Sequence, residues 1–157
     1  MLKTSDRLAS KKASIYVSAG ASYSHKKTTS INVQLIEKCL PILKTLLKLP
    51  TLSIRVAPIK AKNMKGYYQS ESKLVTIDCR LGPKELIEVL AHELVHAEQY
   101  YSGRLMHKYL KRKGWTHYWN GAVGSKGTTY KAYRDQPWEK EAWGRQEELA
   151  KVVIEKL

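Results

Sequence analysis

Two histidines four residues apart, His92 and His96, enclose Glu93 in the sequence H-E-L-V-H. On a helix, residues four apart lie about 40° apart around the axis, so both imidazoles project from one face. Imidazoles at this spacing are typical zinc ligands, and zinc lowers the pKa of a water molecule toward about 7. Glu93 lies about 100° from His92, which lets its carboxylate reach that water. The residue types therefore predict a zinc site with Glu93 as general base, which takes the proton of water and delivers it to a leaving amine.

A zinc site of this kind needs a third protein ligand and an open fourth position. The metzincin pattern would place a histidine six residues after His96, where the chain has Ser102, so that class is excluded. His107 and His117 lie further downstream and are the histidine candidates for the third ligand. A carboxylate from a later helix is the other solution.

Two carboxylates stand at the start of the last predicted helix, in the sequence P-W-E-K-E-A. Glu139 and Glu141 both lie in the first turn, where a helix N-terminus favours negative charge. The buried face of this helix is predicted from four apolar residues, Trp138, Ala142, Leu149 and Val153. Each glutamate lies about 80° from the centre of that face, on opposite sides. Periodicity therefore leaves the choice between the two glutamates open.

These motifs resemble those of small gluzincin-type zincin metallopeptidases, in which H-E-L-x-H is followed by a helix of the form E-x-E-A. In that family the glutamate three residues before the alanine is usually the ligand. The resemblance thus implies Glu139 as the third ligand, with Ala142 allowing the two helices to approach closely. Glu141 stays an alternative ligand. Many gluzincins carry Asp or Asn where this chain has Trp143, so the carboxylate that supports a ligand is expected to be Asp135 or Glu141.

The stretch from His92 to Gln99, together with Ser102-Gly103 and P-W-E-K-E-A, also resembles phage and bacterial predicted metallopeptidases described as SprT-like. The resemblance implies peptide-bond hydrolysis with one zinc ion per chain and a protein or peptide as substrate. Two alternatives remain: a protease associated with DNA or nucleoprotein, and a non-catalytic zinc-bearing binding protein. The intact Glu93 argues against the second, because zinc binding alone does not need it.

The charge of the chain is strongly positive, with 28 Lys and Arg against 14 Asp and Glu and a formal net charge of +14. Such a charge predicts attraction to nucleic acid or to acidic surfaces. Because the lysines are spread along the whole chain, a generally basic, solvated surface is the alternative interpretation. Two cysteines without C-x-x-C spacing and no apolar signal segment predict an intracellular, cytoplasmic protein, or one of the host cytoplasm if a phage encodes it.

Hydrophobic periodicity predicts the elements that position these residues. Residues 1–29 are rich in Ser, Thr and Lys, which predicts a flexible basic tail with a short strand at 14–17, followed by one domain over 30–157. That domain is expected to begin with a helix over 30–48 that is kinked or broken at Pro41. Alternating apolar residues predict three strands, the last two as a hairpin, at 52–56, 65–69 and 73–79.

The helix that carries the two histidines is predicted to begin at Pro83 and to stop near Gly103. It is apolar nearly all round, so we expect it to be the buried central helix. A last helix is predicted over 137–155. The segment 104–135 between these helices is rich in Trp, Tyr and Gly, and we expect irregular structure there with room for one hairpin.

Together these elements predict an α+β fold of minimal zincin type: a small twisted, mostly antiparallel sheet packed on the central H-E-x-x-H helix and on a C-terminal glutamate helix. Zincin substrates lie extended along an edge strand, and the strands at 65–69 and 73–79 are the candidates for it. Tyr130 and Tyr133 are candidates for stabilising the oxyanion, although a tyrosine in such a segment is more often structural.

Overall fold

A computed structural model of the chain describes residues 14–17, 26–124 and 129–157. Its elements in chain order are β1 Ser14–Val17, α1 Lys26–Leu46, β2 Ser53–Ala57, β3 Gly66–Gln69, β4 Leu74–Asp78, α2 Pro83–Tyr101, β5 Leu105–Leu110, β6 Gly114–Trp119, β7 Ala122–Val123, α3 Tyr130–Arg134 and α4 Pro137–Lys156. The strands form two sheets, of which one has four strands and the other three. The α+β class is confirmed. None of the helices in the described segments is long and apolar enough to cross a membrane.

The four-stranded sheet has the order β1-β2-β4-β3. β1 runs parallel to β2, and β2 runs parallel to β4, whereas β3 is antiparallel to β4. The expectation of a mostly antiparallel sheet is therefore wrong for the sheet that backs the central helix. The connections explain the difference, because α1 provides the long crossover that parallel neighbours need. The β3–β4 hairpin then returns the chain in the direction of β2.

The predicted hairpin of β3 and β4 is confirmed, and the two strands differ in their surroundings. β4 lies between β2 and β3, and all five of its residues are buried. β3 is at the edge of the sheet, with no described strand on its other side. The strand at 73–79 is therefore wrong as a place for an added substrate strand, because both of its hydrogen-bonding edges are used. β3 keeps an edge that can accept one.

α2 is the central helix, as predicted from its apolar sequence. Gly82 is its N-cap and Pro83 its first residue, and Gly103 just beyond its end has φ +77°. α2 contacts α1, α4, β3, β4 and β5. Its buried positions include both histidines and Glu93, so the residues of the motif lie inside the fold rather than on its surface.

The N-terminal part of the fold begins earlier than the sequence predicts. β1 pairs with β2, and α1 starts at Lys26, four residues before the predicted start. The rest of the predicted tail, 1–13 and 18–25, lies outside the described residues. α1 runs without interruption through Pro41, where a kink or break was expected. Burial of the apolar face of α1, including Ile36, Leu40 and Leu43, offsets the one backbone hydrogen bond that proline removes.

The segment after α2 is more regular than expected. β5, β6 and β7 form an antiparallel sheet, and the short helix α3 follows. Gly114 and Gly121 adopt positive φ values of +71° and +83° at the turns, conformations that residues with a Cβ rarely adopt. Pairs of large side chains face each other across β5 and β6, such as Tyr109 with Trp115 and Leu105 with Trp119. These cross-strand pairs stabilise the β5–β6 hairpin, for which the expectation of irregular structure had left room.

Candidate metal centre

The two histidines of α2 project together toward α4. The Nε2 atoms of His92 and His96 are 3.1 Å apart, and the rings meet edge to face at a centroid distance of 4.7 Å. Both residues are buried. This arrangement follows from the spacing of four residues on a helix, which the sequence predicted.

Glu139, in the first turn of α4, completes the group. Its Oε1 atom is 3.2 Å from Nε2 of His96, and its Oε2 atom is 3.4 Å from Nε2 of His92. The three ligand atoms lie within 4.8 Å of one another, and this is the one such group of histidine, cysteine or carboxylate residues in the described part of the chain. A buried His-His-Glu group of this kind can hold a metal ion. Of the two carboxylates that periodicity left open, α4 thus places Glu139 beside the histidines.

Two glutamines hold the histidine rings with Nε2 directed at Glu139. Nδ1 of His92 donates to Oε1 of Gln146 at 2.8 Å, and Nδ1 of His96 donates to Oε1 of Gln99 at 2.9 Å. The amide of Gln99 is oriented by its own Nε2, which donates to the backbone carbonyl of Trp138 at 2.9 Å. Because an amide oxygen only accepts, each Nδ1 carries a hydrogen, and in the neutral imidazole each Nε2 therefore offers a lone pair. This is the tautomer that a metal ligand needs.

The electrostatics of the group also fit a cation. Oε2 of Glu139 is buried without a hydrogen-bond partner. Burial opposes its ionisation, but the adjacent His92 and His96 side chains lower the pKa of Glu139 to about 2. Burial likewise opposes a charge on His96, but Glu139 and Glu93 raise the pKa of His96 to about 9. The buried carboxylates therefore attract positive charge at this point, and a divalent cation would supply it.

Glu93 lies beside this group, under the edge strand. Its side chain is buried, and burial raises its pKa, as does the charge of Glu139, while the two histidines oppose the increase. Gly66 of β3 lies directly over it: a Cβ atom there would be 3.1 Å from Cγ of Glu93 and 2.8 Å from Val89. The strand can pass this close to α2 because position 66 has no side chain.

Glu141 faces away from the histidines. It accepts hydrogen bonds from Arg104 at 2.7 Å and from Arg145 at 3.1 Å, and Glu98 bridges the same two arginines. Nε2 of Gln99 also donates to Glu141 at 3.2 Å. Glu141 is thus not part of the ligand group, but it holds the glutamine that orients His96. The geometry fits the role predicted for a carboxylate that supports a ligand, which Glu141 does through Gln99.

His107 and His117 lie outside the ligand group. Nδ1 of His107 is 3.1 Å from the hydroxyl of Tyr100, and its Nε2 is 2.5 Å from Oε1 of Glu71. His117 stacks on Trp138, with ring centroids 5.4 Å apart. Both histidines are on the β5–β6 hairpin, which packs beside the start of α4. The alternative of a third histidine ligand is therefore not the arrangement that this structure has.

The other residues predicted for the site lie on α3, at its end or on α4, and their surroundings differ. Tyr133 lies near Glu139, and burial together with the charge of Glu139 raises the pKa of Tyr133 far above its ordinary value. Tyr130 is 60% exposed, and no hydrogen bond joins it to the ligand group in the described residues. Asp135 pairs with Lys131 on the surface, so it does not support a histidine. Trp143 meets the ring of His92 edge-on at 5.1 Å, and Arg134 covers Trp143.

Sequence reasoning missed the two glutamines. A signal for them was present, because Gln99 lies three residues after His96 and Gln146 lies seven residues after Glu139, both on the same helix face as the ligand. Glutamine, however, is not a residue type that by itself indicates a metal site. The spacing also did not show that Gln146 of α4 would hydrogen-bond to His92 of α2.

The two glutamines are expected to set metal affinity. Gln146→Leu and Gln99→Leu each remove the acceptor of one Nδ1–H group, so each should weaken zinc binding by about 10- to 100-fold. Gln34→Leu, on the exposed side of α1, is the matched control and should leave affinity unchanged. Competition with a chromophoric chelator measures the affinity, and thermal unfolding checks that each variant is folded. Wild-type affinity in both folded variants would contradict this account of ring orientation.

Comparisons of the chain with protein-family models, with curated proteins and with solved structures find no match.

Proposed function

We propose that this protein is a zinc-dependent metallopeptidase, in which His92, His96 and Glu139 hold the metal and Glu93 is the general base. The observation that carries the proposal is the convergence of the three ligand atoms within 4.8 Å beside a buried glutamate. Metal binding alone would require the three ligands. A fourth ionisable side chain, buried next to them, is what hydrolysis adds.

Zinc is the metal that this donor set favours. Two imidazole nitrogens and one carboxylate oxygen form a common catalytic zinc set, in which the fourth position stays open. When bound, zinc would supply Lewis acidity, which acidifies water and polarises a peptide carbonyl. The two neutral imidazoles and one carboxylate leave a net positive charge on such a centre, and that charge favours the developing oxyanion.

The protein residues provide the proton transfers. The raised pKa of Glu93 brings its carboxylate closer to the basicity that a general base needs near neutral pH. It accepts a proton from the attacking water and later donates it to the leaving amine. Tyr133, which lies near Glu139, is the tyrosine that we propose as the donor to the oxyanion. The exposed Tyr130 is not needed for either step.

The open edge of β3 supplies a way to orient the substrate. An extended peptide can pair with this strand by backbone hydrogen bonds, which recognise main chain rather than a particular sequence. Gly66 brings β3 within contact distance of Glu93, so a peptide paired next to β3 would run past the general base. Proteins or peptides with an accessible extended segment are therefore the proposed substrates.

Metal content tests the first half of the proposal. Purified protein reconstituted with zinc should contain about one zinc ion per chain, and His96→Ala should lose it, because one of three ligands is removed. His107→Ala removes a histidine outside the ligand group and should keep the metal. Elemental analysis after desalting measures the ratio. Absence of zinc, nickel and cobalt from reconstituted wild-type protein would overturn the proposal.

A further inference from the structure

The β5–β6 hairpin carries a local concentration of positive charge. Its turn consists of Lys111, Arg112 and Lys113, all exposed. Lys108, on β5 three residues before the turn, is exposed as well. The sequence from Ser102 to Arg134 contains eight Lys and Arg residues and no Asp or Glu. Glu71 contacts the hairpin, but it does so at His107, away from the turn. The tip is therefore more positive than a mixed surface of the same size.

Two aromatic side chains stand beside these cations. Tyr109 is 64% exposed and Trp115 is 58% exposed, and they face each other across the hairpin with ring centroids 5.7 Å apart. A cross-strand aromatic pair stabilises a hairpin, but that purpose does not require large exposed ring surfaces. Exposed Trp and Tyr next to cations are the combination that binds nucleic acid strands, where rings stack on bases and cations contact phosphates.

We propose that the tip of the β5–β6 hairpin is a binding site for single-stranded nucleic acid. Lys108 and the three cations of the turn contact the phosphates, and Trp115 and Tyr109 stack on bases. A single strand is the ligand because stacking needs unpaired base faces, which a duplex hides in its own stack. The charge of an acidic protein would account for the cations but not for the two exposed rings beside them.

The hairpin is separate from the metal centre, since none of the three ligand residues lies on β5 or β6. From its base at Leu105 to its tip the hairpin extends about 17 Å, at about 3.3 Å per residue. Ring contacts run along it from Trp115 to His107, then to His117 and finally to Trp138, the neighbour of Glu139. Binding at this separate surface does not depend on the proposed peptidase activity.

Fluorescence anisotropy of the full chain with a labelled oligothymidine of about 20 nucleotides tests the proposal. Wild-type protein should bind this strand more tightly than a duplex of the same length, and affinity should fall steeply between about 50 and 200 mM salt. Trp115→Ala should weaken binding by about 10-fold or more, whereas Trp115→Phe keeps a ring that stacks and should retain most of the affinity. Trp115→Ala also loses the cross-strand contact with Tyr109, whereas Trp115→Phe keeps a ring there, so thermal unfolding and circular dichroism must show both variants folded at the assay temperature.

Charge substitutions test the phosphate contacts. Replacing Lys111, Arg112 and Lys113 together with alanine should reduce the slope of log K against log salt by about 2, since each phosphate contact on a single strand contributes about 0.7. The control replaces three exposed lysines elsewhere, at 60, 62 and 151, and should leave the slope near the wild-type value.

Two results would overturn the proposal. One is equal or tighter binding of the duplex together with no effect of Trp115→Ala, which would indicate a general attraction to phosphate. The other is unchanged binding in the hairpin variants combined with loss of binding when the four basic residues of 1–13 are replaced, at positions 3, 7, 11 and 12. Binding would then belong to the N-terminal segment.

Discussion

Glu93→Gln is expected to keep its zinc and to cleave peptides about 10²-fold more slowly, or slower still. The amide has nearly the size of the carboxylate, so it fits under Gly66, where a Cβ would lie only 3.1 Å from Cγ of Glu93. It cannot accept a proton from water, and this removes the general base alone. The loss should appear in kcat, because substrate pairing with β3 does not involve the carboxylate.

The measurement is kcat and KM, determined separately, for an unstructured substrate such as a quenched peptide, with zinc content determined on the same samples. Glu88→Gln is the matched control, since Glu88 lies on the same helix and pairs with the exposed Lys84. Wild-type cleavage by a zinc-loaded Glu93→Gln variant would remove Glu93 from the mechanism. Zinc-loaded wild type that cleaves no peptide would instead support the non-catalytic alternative, a zinc-bearing binding protein.

Glu139→Ala is expected to release the metal, whereas Glu141→Ala is expected to lower the metal affinity only modestly. Glu139 has both oxygens within 3.4 Å of a histidine Nε2, so its removal takes away one of three ligands. The affinity should fall by more than the roughly 100-fold that loss of an orienting partner can cause. Glu141 acts through Gln99, and its loss should cost about 10-fold.

Chelator competition on the two variants gives both affinities, and peptide cleavage should follow the zinc occupancy. Each variant is the control for the other, because both changes remove one carboxylate near the start of α4. Release of the metal by Glu141→Ala but not by Glu139→Ala would reverse the assignment while keeping the class of site. If neither variant loses affinity, the third ligand lies elsewhere and His107 or His117 becomes the candidate to test next.

The parts of this site that depend on one helix were predictable from the sequence. His92 and His96 meet because residues four apart share a face of any helix, and Glu93 is next to them for the same reason. The start of α2 at Pro83 and the β3–β4 hairpin were also correct, since turn residues and short-range periodicity act locally. These predictions needed no knowledge of which elements would become neighbours.

Long-range pairing explains the errors in the sheet. The order β1-β2-β4-β3 joins strands that are far apart in the chain, and the alternation of apolar residues does not state which strand lies next to which. The regular β5–β7 sheet was missed for a related reason. Its stability comes from large side chains paired across strands, such as Tyr109 with Trp115, whereas its glycines indicated loops.

The choice of the third ligand shows most clearly what the sequence determined and what only the tertiary structure decided. Helical spacing placed Glu139 and Glu141 at equal angles from the predicted buried face, so the residues of α4 alone favoured neither. Ala142 is fully buried where α4 packs on α2, and this packing turns Glu139 toward the histidines. Arg104 and Arg145 bind Glu141, and Gln146 of α4 orients the ring of His92 across the contact between the helices. Gln99 orients the ring of His96 within α2 and is itself held by the carbonyl of Trp138 in α4. Local periodicity shows which face of a helix a residue lies on. Which residues contact that face depends on how the two helices pack against each other.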